Sequence, residues 1–423
     1  MPHASPSEPP GQRRAFQLLF GCLLVVGIGN SMLLALLPPL VRRLELPDSS
    51  IGWIFSLSAL IWTFASPYWG RVSDHTGRKP IIAMGLFAYA VSMTLFGLAV
   101  VLGLMGWLHG AALLAALILT RGIFGLFGAA TNPAAQAYVA DRTSALQRTE
   151  ELAALMGAFA LGSAIGPALC ALMVAKTGLV VPILLVAVLA LGATFAVLRV
   201  LPEAPHDADA TPPRQASGGT WRLARDPRVA PYLIYGLGLS AATGITTQVY
   251  ALFTMDRLGV AGAAGAELAA AGFMVLALAM LVTQLALLPR LALTTRTLMM
   301  LGAALIALGV AIQIAAPSLG ALLASQLVQG FGFGLARPGF ASGASTAVLA
   351  HEQGATAGLV VATNGAGYVL SPLAGGVAYE QFGMNAPLYV TIVLMAAMGL
   401  FAWRSRRLKA QTAPSTNINV SDL

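Results

Sequence analysis

The stretch Gly70-Arg-Val-Ser-Asp74-His-Thr-Gly77-Arg78-Lys79 separates two long apolar segments, and the fold can be worked out from it. Asp74 and Arg78 stand four residues apart, so a tight turn at Gly77, where glycine tolerates a positive φ, brings their charges together. Gly70 has no side chain and permits a neighbouring helix to approach closely. The stretch therefore predicts a charged turn between two membrane-spanning helices.

Composition indicates that the whole chain lies in a membrane. Hydrophobic residues make up 57% of the chain and charged residues only 9%, whereas about 25% of a typical soluble domain is charged. The net charge of +8 could indicate nucleic acid, but the basic residues are spread over the segments between apolar stretches. Cys22 and Cys170 lie in apolar segments without Cys or His at ligand spacing, so we expect neither a disulfide nor a metal site.

Twelve apolar stretches are long enough to cross the hydrocarbon core, which needs about 20 residues of helix. We predict spans at roughly 16–40, 50–70, 80–104, 111–138, 151–175, 179–201, 229–255, 264–288, 297–316, 320–346, 354–378 and 386–404. The polar segment between the two sets of six has no apolar periodicity and predicts a flexible linker. The expected organisation is a tail 1–14, a six-helix bundle 15–201, a linker 202–228, a six-helix bundle 229–405 and a tail 406–423.

Basic residues orient the predicted spans, because cytoplasmic loops retain positive charge. Four of the 24 Lys and Arg residues fall in loops opposite the N-terminus, namely Arg42, Arg43, Lys176 and Arg257. Two more, Arg121 and Arg337, lie within spans, which leaves eighteen on the side of the N-terminus. We therefore expect both termini and the linker in the cytoplasm, and the protein in a cell membrane, such as a bacterial inner membrane.

A repeat at a constant offset of 205 residues indicates that the two halves are related. The matching pairs are Gly125 with Gly330, Pro133 with Pro338, Gly162 with Gly367, Pro167 with Pro372, Gly178 with Gly383, and Pro182 with Pro387. An even number of spans separates the copies, so they share one orientation, with a symmetry axis along the membrane normal and a cavity between the halves. The second copy of the charged turn, Pro289 to Arg296, lacks the acidic residue and both glycines, so a charge latch is expected on one half only.

The charged turn resembles the signature loop Gly-x-x-x-Asp-x-x-Gly-Arg-Lys of the major facilitator superfamily at all six defined positions. The resemblance implies an all-α fold of two pseudo-symmetric six-helix bundles around a central cavity. It also implies that Asp74 meets the positive N-terminal end of the eleventh helix, near Gly354, when the cytoplasmic side closes. The expected latch residues are Gly70, Asp74, Gly77, Arg78, Lys79 and, as a second partner for Arg78, Asp141. The alternative is a hairpin with ordinary positive-inside charge.

The fourth span contains Arg121-Gly-Ile-Phe-Gly125, which resembles the Arg-x-x-x-Gly motif of the same superfamily. A guanidinium at membrane depth costs on the order of several kcal/mol unless it is paired or hydrated, so Arg121 is a functional candidate. The resemblance implies a role in proton coupling or helix anchoring. The alternative is a structural arginine that binds backbone carbonyl groups of a neighbouring helix.

The fifth span, with Gly162-Ser-Ala-Ile-Gly166-Pro167, is similar to the glycine-proline motif of antiporters in the superfamily. The match is partial, because Cys170 and Ala171 stand where that motif ends in two glycines. Small residues would press this helix against its neighbours, and Pro167 would bend it. A packing seam that carries no information on transport direction remains the alternative.

Arg337 is the residue that bears most on the substrate. It lies deep in the tenth span, pairs with Asn132 by the 205-residue offset, and has no acidic residue at comparable depth in the sequence. Because arginine offers a planar fork that matches carboxylates, it predicts a hydrated cavity that accepts an anionic group. Pairing with backbone carbonyl groups, or hydration in a site for neutral drugs, stays open.

Polar side chains in other spans predict a mixed binding surface with Arg337. The cavity candidates are Asn30, Asn132, Gln136, Thr247, Gln248, Arg337, Asn364 and Tyr368. Each of them alone could make an ordinary interhelical hydrogen bond.

These features lead to a secondary active transporter as the first functional hypothesis. We expect a proton-coupled exporter of an amphiphilic drug or a secreted metabolite such as a carboxylate siderophore, with a proton symporter that imports an organic anion as the rival. A membrane-bound enzyme or receptor would need a catalytic constellation or an appended domain, and His351-Glu352 lacks the second His of a zinc protease helix. We expect no enzyme activity, no cofactor, no nucleic acid and a functional monomer; the expected partners are a small-molecule substrate and the lipid bilayer.

Overall fold

The structure is a computed structural model, and it describes residues 10–143, 145–203, 222–291, 293–349, 352–405 and 408. Several sequence predictions fall outside these residues: most of the N-terminal tail, linker positions 204–221, His351, and the C-terminal tail apart from residue 408. Between its gaps, the described chain is helical and contains no strand.

The first half of the described chain contains seven α-helices. They are α1 (Pro10–Arg43), α2 (Ser49–Thr76), α3 (Arg78–Leu104), α4 (Gly110–Leu126), α5 (Thr131–Ala140), α6 (Ala145–Thr177) and α7 (Val181–Val200). The second half contains α8 (Ala230–Leu258), α9 (Gly262–Val282), α10 (Thr295–Ala315), α11 (Leu319–Thr346), α12 (Gln353–Phe382) and α13 (Ala386–Arg404). Since α4 and α5 together form one span, these helices account for the twelve predicted spans.

Eleven helical stretches of the described chain are long and apolar enough to cross a membrane. The predicted seventh span, α8, is not among them although it has 29 residues. Its polar run from Ser240 to Gln248, with three threonines, lowers its apolar character. The all-α membrane fold is confirmed, and α8 is the helix on which polarity is concentrated.

Two predicted spans are interrupted. The fourth breaks into α4 and α5 through a 3-10 turn at Gly128–Ala130. Pro133 explains the break, because it has no N–H for the carbonyl group of Ala129 and its ring crowds the preceding turn. One carbonyl group released nearby is satisfied, since Trp69 Nε1 donates to the Leu126 carbonyl oxygen at 2.7 Å.

The eighth span ends irregularly as well. After α9 the chain forms a π-helical turn at Thr283–Leu287 and then a 3-10 turn at Leu288–Arg290. A π-helical turn accommodates one extra residue, which changes the direction of the side chains that follow it, and such turns are frequent at functional sites. The predicted span at 264–288 falls within a helical stretch long enough to cross a membrane, Gly262–Arg290, and the sequence did not indicate the irregular turns at its end.

The described residues form two compact units. Unit 1 comprises those within Met1–Arg214, Thr247–Met274 and Val369–Met384. Unit 2 comprises those within Gln215–Thr246, Val275–Tyr368 and Asn385–Leu423.

Glycine sets the close approach of α1 and α6 in unit 1. A Cβ atom at Gly162 would meet the Leu24 carbonyl oxygen and would lie 2.9 Å from the Ile28 nitrogen. On the facing helix, a Cβ atom at Gly27 would lie 3.2 Å from the Gly162 Cα. These obstacles are backbone atoms, which cannot rotate away, so the two helices can only pack at this distance with glycine at both positions.

In unit 2, α10 and α11 also pack closely through glycines on both helices. A Cβ atom at Gly302 would lie 2.8 Å from the Ala336 nitrogen, and one at Gly332 would lie 2.8 Å from the Ile306 nitrogen. Glycine on both helices again lets the backbones meet. Packing of this kind replaces the hydrophobic effect, which does not act between helices surrounded by lipid.

Two glycines of α6 provide a matched test of this packing. Gly162→Ala forces a Cβ atom against the backbone of α1, at a cost of about 1 to 3 kcal/mol for overpacking. Gly157→Ala meets no atom within 4 Å and gains helix propensity of up to about 1 kcal/mol. In thermal unfolding of purified protein we expect a lower Tm for Gly162→Ala and an unchanged or higher Tm for Gly157→Ala. Equal Tm values for the two variants would contradict the packing argument.

Candidate functional site

The charged turn has the geometry that its sequence predicts. Gly77 ends α2 with a φ of 91°, a value that favours glycine. Arg78 pairs with Asp74, and its Nε donates to Asp141 Oδ2 at 3.0 Å. Both predicted partners of Arg78 are therefore in contact with it. We call this end of unit 1 the Asp74 end.

Gly70 behaves differently from the expectation. A Cβ atom at this position would meet only the Pro133 side chain, at 3.8 Å, which is ordinary van der Waals contact. In this conformation no close helix approach requires glycine at position 70.

A second charge network lies at the opposite end of unit 1, which we call the Arg42 end. Arg42, near the end of α1, pairs with Asp256 near the end of α8 and donates to Asp48 Oδ2 at 2.8 Å. The Tyr379 hydroxyl group on α12 donates to the second carboxylate oxygen of Asp256. The side chains of Arg42 and Asp256 are 29% and 33% exposed, so solvent screens them only in part. One guanidinium therefore joins helices that are more than 200 residues apart in the chain.

Backbone contacts reinforce the Arg42 end. The Ser49 amide at the start of α2 donates to Glu380 Oε2 at 2.9 Å. Within α12, the Leu373 amide donates to Ser56 Oγ of α2 at 3.1 Å. A Cβ atom at Gly52 would lie 2.7 Å from the Pro372 carbonyl oxygen, so α2 and α12 touch through their backbones.

Sequence reasoning missed this network. It counted Arg42 as a topological charge and considered no acidic partner for it. A signal was available, because Asp48, Asp256 and Glu380 all fall at the same predicted membrane face as Arg42. Opposite charges at one face indicate possible pairing, although the sequence does not specify which residues pair.

Arg121 lies in a buried polar cluster of unit 1. Only 2% of the residue is exposed, and Nη2 donates to Asn30 Oδ1 on α1 at 3.0 Å. Its Cζ atom lies 4.7 Å from the ring centroid of Phe124 and 5.8 Å from that of Phe55. The charge is therefore stabilised by one amide oxygen and two aromatic faces.

Unused hydrogen-bonding capacity remains beside this guanidinium. Among the described residues, Arg121 Nε and Nη1 have no acceptor, and the buried hydroxyl group of Tyr89 has no partner. Tyr89 is tied to the cluster because its ring centroid lies 4.5 Å from that of Phe124. The predicted structural alternative, pairing of the guanidinium with backbone carbonyl groups, is not observed within the described chain. The spare N–H donors of Arg121 can bind an acceptor, such as a carboxylate or a carbonyl oxygen.

The glycine-proline motif of the fifth span lies in the contact between α1 and α6. Gly162 faces α1, and Gly166 is in close contact with the Ser31 hydroxyl group and the Ile28 carbonyl oxygen. Ser31 Oγ is held by the Gly27 carbonyl oxygen at 3.0 Å. The motif packs helices, as the alternative interpretation requires, and Pro167 lies within α6.

The remaining cavity candidates are divided between the units. In unit 1, Gln136 Nε2 donates to Asn132 Oδ1 at 3.0 Å on α5, and Gln248 is 3% exposed. Thr247 lies near the end of the polar run of α8, at the first position of that helix assigned to unit 1. Tyr368 ends the part of α12 that belongs to unit 2.

Unit 2 contains an open cavity of about 310 Å³ around Arg337. Its lining consists of Gln284, Arg337, Pro338, Phe340, Ala341 and Asn364. Two predicted candidates, Arg337 and Asn364, are thus brought together, and Gln284 is an addition that the sequence did not indicate. Elsewhere in the described chain, no group of three His, Cys, Asp or Glu residues could hold a metal ion.

Comparison with known proteins places this geometry in a family. The family model described as Major Facilitator Superfamily matches residues 19–293 and 292–420, which together cover nearly the whole chain.

Two curated relatives come from Bacillus subtilis (strain 168). Multidrug resistance protein 1 is 25% identical over 406 residues, a match that covers 93% of this chain and 98% of the relative. Multidrug resistance protein 2 is 27% identical over 156 residues, and that match covers 37% of this chain and 36% of the relative.

A solved structure has the same fold. The crystal structure of a bacterial homolog of the human lysosomal transporter Spinster, in an inward-facing and unoccupied conformation, matches with a TM-score of 0.75. The match has 14% identity and covers 97% of this chain and 100% of that chain. At this identity the likeness is informative about the fold alone.

Proposed function

The chain belongs to the Major Facilitator Superfamily of multi-pass membrane transporters, and from this premise we propose that it is a proton-coupled exporter of amphiphilic small molecules. The observation that carries the proposal is Arg121, a guanidinium buried at membrane depth with unused donors. In the family such a residue is expected to act in coupling or in anchoring. The proposed cycle is alternating access driven by a proton gradient, without a bound cofactor.

Export is favoured over import by the relatives. One match along almost the full length is to a multidrug resistance protein, and a membrane transporter confers resistance by moving the compound out of the cell. None of these comparisons names a siderophore, and we do not retain one as the substrate. In the proposed arrangement both termini are cytoplasmic, because basic residues are concentrated on that side, and the unit of function is the monomer.

Arg121 can couple proton binding to substrate binding because two nitrogen atoms of its guanidinium have no acceptor among the described residues. A proton bound near Arg121 would weaken the binding of any cation and strengthen that of an anion in the same cluster, so binding of the two ligands is linked. Coupling free energies between two ligands are typically about 1 to 3 kcal/mol, equivalent to about 5- to 150-fold in affinity. Loss of this linkage should uncouple transport from the gradient while leaving the transport pathway intact.

Substitution of Arg121 tests the coupling role. We expect Arg121→Gln to reduce accumulation driven by a pH gradient about 5- to 150-fold and to retain exchange of labelled for unlabelled solute without a gradient. Arg121→Lys should keep part of the driven transport. The assay measures uptake of a cation, ethidium, and of an anion, 1-naphthaleneacetate, into proteoliposomes. The variants are compared with the parent protein on the solute that the parent transports.

Arg199→Gln is the matched control, since it removes the same charge from an exposed position at the end of α7. It should leave both activities unchanged. An arginine that only anchors helices would lose exchange and driven transport together in the Arg121→Gln variant, and that outcome would contradict the coupling role.

The Arg42 network links α1 with α8 and α12 and is suited to hold its end of unit 1 closed. Asp256 at the Arg42 end has two hydrogen-bonding partners and is one-third exposed, so we assign its contacts about 1 to 2 kcal/mol, equivalent to about 5- to 30-fold in a conformational equilibrium. Asp74 is 38% exposed, so solvent screening limits any contact that it makes on closure to about 1 kcal/mol, or about 5-fold. We expect Asp74 to favour closure at its own end, as the signature loop implies.

Neutral variants of the two acids should shift the conformational equilibrium in opposite directions. Spin labels on Arg43→Cys and Gln381→Cys in a cysteine-free chain report opening of the Arg42 end by pulsed electron paramagnetic resonance. We expect Asp256→Asn to increase the long-distance population about 5- to 30-fold relative to the short one, and Asp74→Asn to decrease it by up to about 5-fold.

Glu45→Gln serves as the control, because it removes an exposed acid at the Arg42 end and should leave the distances unchanged. Shifts in the same direction for Asp256→Asn and Asp74→Asn, or no shift for either, would rule out opposing latches.

A further inference from the structure

The cavity around Arg337 contains a positive charge without a protein partner among the described residues. Arg337 lies nine residues before the end of α11 at Thr346, about 13 Å along the helix axis, and is partly buried. Within the described chain the guanidinium has no hydrogen bond or ion pair, and no acidic residue lines the cavity. The charge at this depth is thus left for water or for a ligand.

Asn364 adds a second donor. Ser240 Oγ on α8 donates to the Asn364 amide oxygen at 2.9 Å, so the acceptor of that side chain is engaged. The amide NH₂ group is then the part of Asn364 that the cavity can use. The position of Asn364 is fixed further because a Cβ atom at Gly367, one turn along α12, would lie 2.9 Å from the Ala241 nitrogen.

Gln284 lines the cavity and lies in the irregular turn that ends the eighth span. It is the second residue of the π-helical turn Thr283–Leu287. Thr283 is locked in place, since it packs against Gly334 of α11 and its hydroxyl group donates to the Ala279 carbonyl oxygen at 2.7 Å. A π-helical turn that begins at a fixed residue directs the next side chain to a defined place.

The other walls are apolar. Phe340 is 1% exposed, and its ring is held against α8, where a Cβ atom at Gly236 would lie 2.6 Å from it. Pro338 and Ala341 complete the lining. A cationic fork, two amides and an aromatic wall match a carboxylate attached to a flat apolar body.

We propose that Arg337, Asn364 and Gln284 form a carboxylate-binding subsite within unit 2, which selects amphiphilic organic anions as substrates. The proposal rests on the proposed export function and specifies the substrate class. Arg337 supplies the positive charge and two parallel N–H donors for the carboxylate. The amide groups of Asn364 and Gln284 donate further hydrogen bonds to it. The apolar body of the ligand contacts Phe340.

The test compares two ligands of nearly equal shape, 1-naphthaleneacetate and its neutral amide, 1-naphthaleneacetamide. Binding to the purified full chain is measured by equilibrium dialysis, which requires neither a proton gradient nor transport. We expect Arg337→Gln to weaken binding of the carboxylate about 10- to 100-fold, as loss of a hydrogen bond to a charged group implies, and to change binding of the amide less than about 2-fold. Gln284→Ala and Asn364→Ala should each weaken carboxylate binding by a smaller factor.

Arg290→Gln is the matched control, because Arg290 is an exposed arginine of unit 2 that bonds its own helix at Ala286. It should bind both ligands as the parent does. Arg337→Lys keeps the charge and loses the fork, so it should bind the carboxylate with intermediate affinity. If Arg337→Gln does not elute as a single species in size-exclusion chromatography, the comparison is made with Arg337→Lys.

Equal losses for the carboxylate and the amide in the Arg337 variants would overturn the subsite, and so would unchanged carboxylate binding or a parent protein that binds the two ligands equally. Selective carboxylate binding without pH-driven export would support the subsite and count against the proposed function alone. The two proposals therefore fail in different measurements.

Discussion

The absence of water from the bilayer core is the constraint on which the rest of the structure depends. Every backbone N–H and C=O group at that depth must find a partner within the protein, so the chain can cross only as helices. Lipid chains are as apolar as leucine, so the helices must associate by close packing, which explains the glycines at the contacts of α1 with α6 and of α10 with α11. Departures from regular helix cost free energy, so their positions indicate where function requires an irregular backbone.

The two intramembrane arginines satisfy this constraint in different ways. Arg121 is enclosed, with Asn30 and the faces of Phe55 and Phe124 around it, while Arg337 opens into a cavity with polar amides. An enclosed charge with spare donors responds to a proton or to a small change in its surroundings. A charge in an open cavity can meet a solute. These environments are the basis on which we propose coupling for the first and recognition for the second.

Equivalent prolines in the two related halves have different effects on the backbone. Pro133 interrupts the fourth span after Arg121, and Pro338 follows Arg337 in the tenth. In α11 the helix continues through the proline, whereas the fourth span changes to a 3-10 turn. A repeat can thus keep its prolines while the backbones of the two copies diverge, as their sequences have also done at the charged turn.

Much of the fold was predictable from sequence, because hydropathy measures transfer into lipid and each span is a local property. The contact of Arg78 with Asp141 followed from two helix ends at one face. The pairs Arg42 with Asp256 and Arg121 with Asn30 did not, since 214 and 91 residues separate the partners and only the packing of helices selects them. The π-helical turn that contains Gln284 could not be predicted from sequence either. Its residues are ordinary helix formers, and the turn is stabilised by contacts with α11.

The central claim is that the chain exports amphiphilic anions in exchange for protons. Everted membrane vesicles from cells that contain the protein test it most directly, with labelled 1-naphthaleneacetate outside and an interior made acidic. The account predicts accumulation inside these vesicles that requires the pH gradient and disappears when a protonophore collapses it. Accumulation in right-side-out vesicles with an alkaline interior that exceeds that in the same vesicles from cells without the protein, with none in everted vesicles, would show a proton symporter and contradict the account.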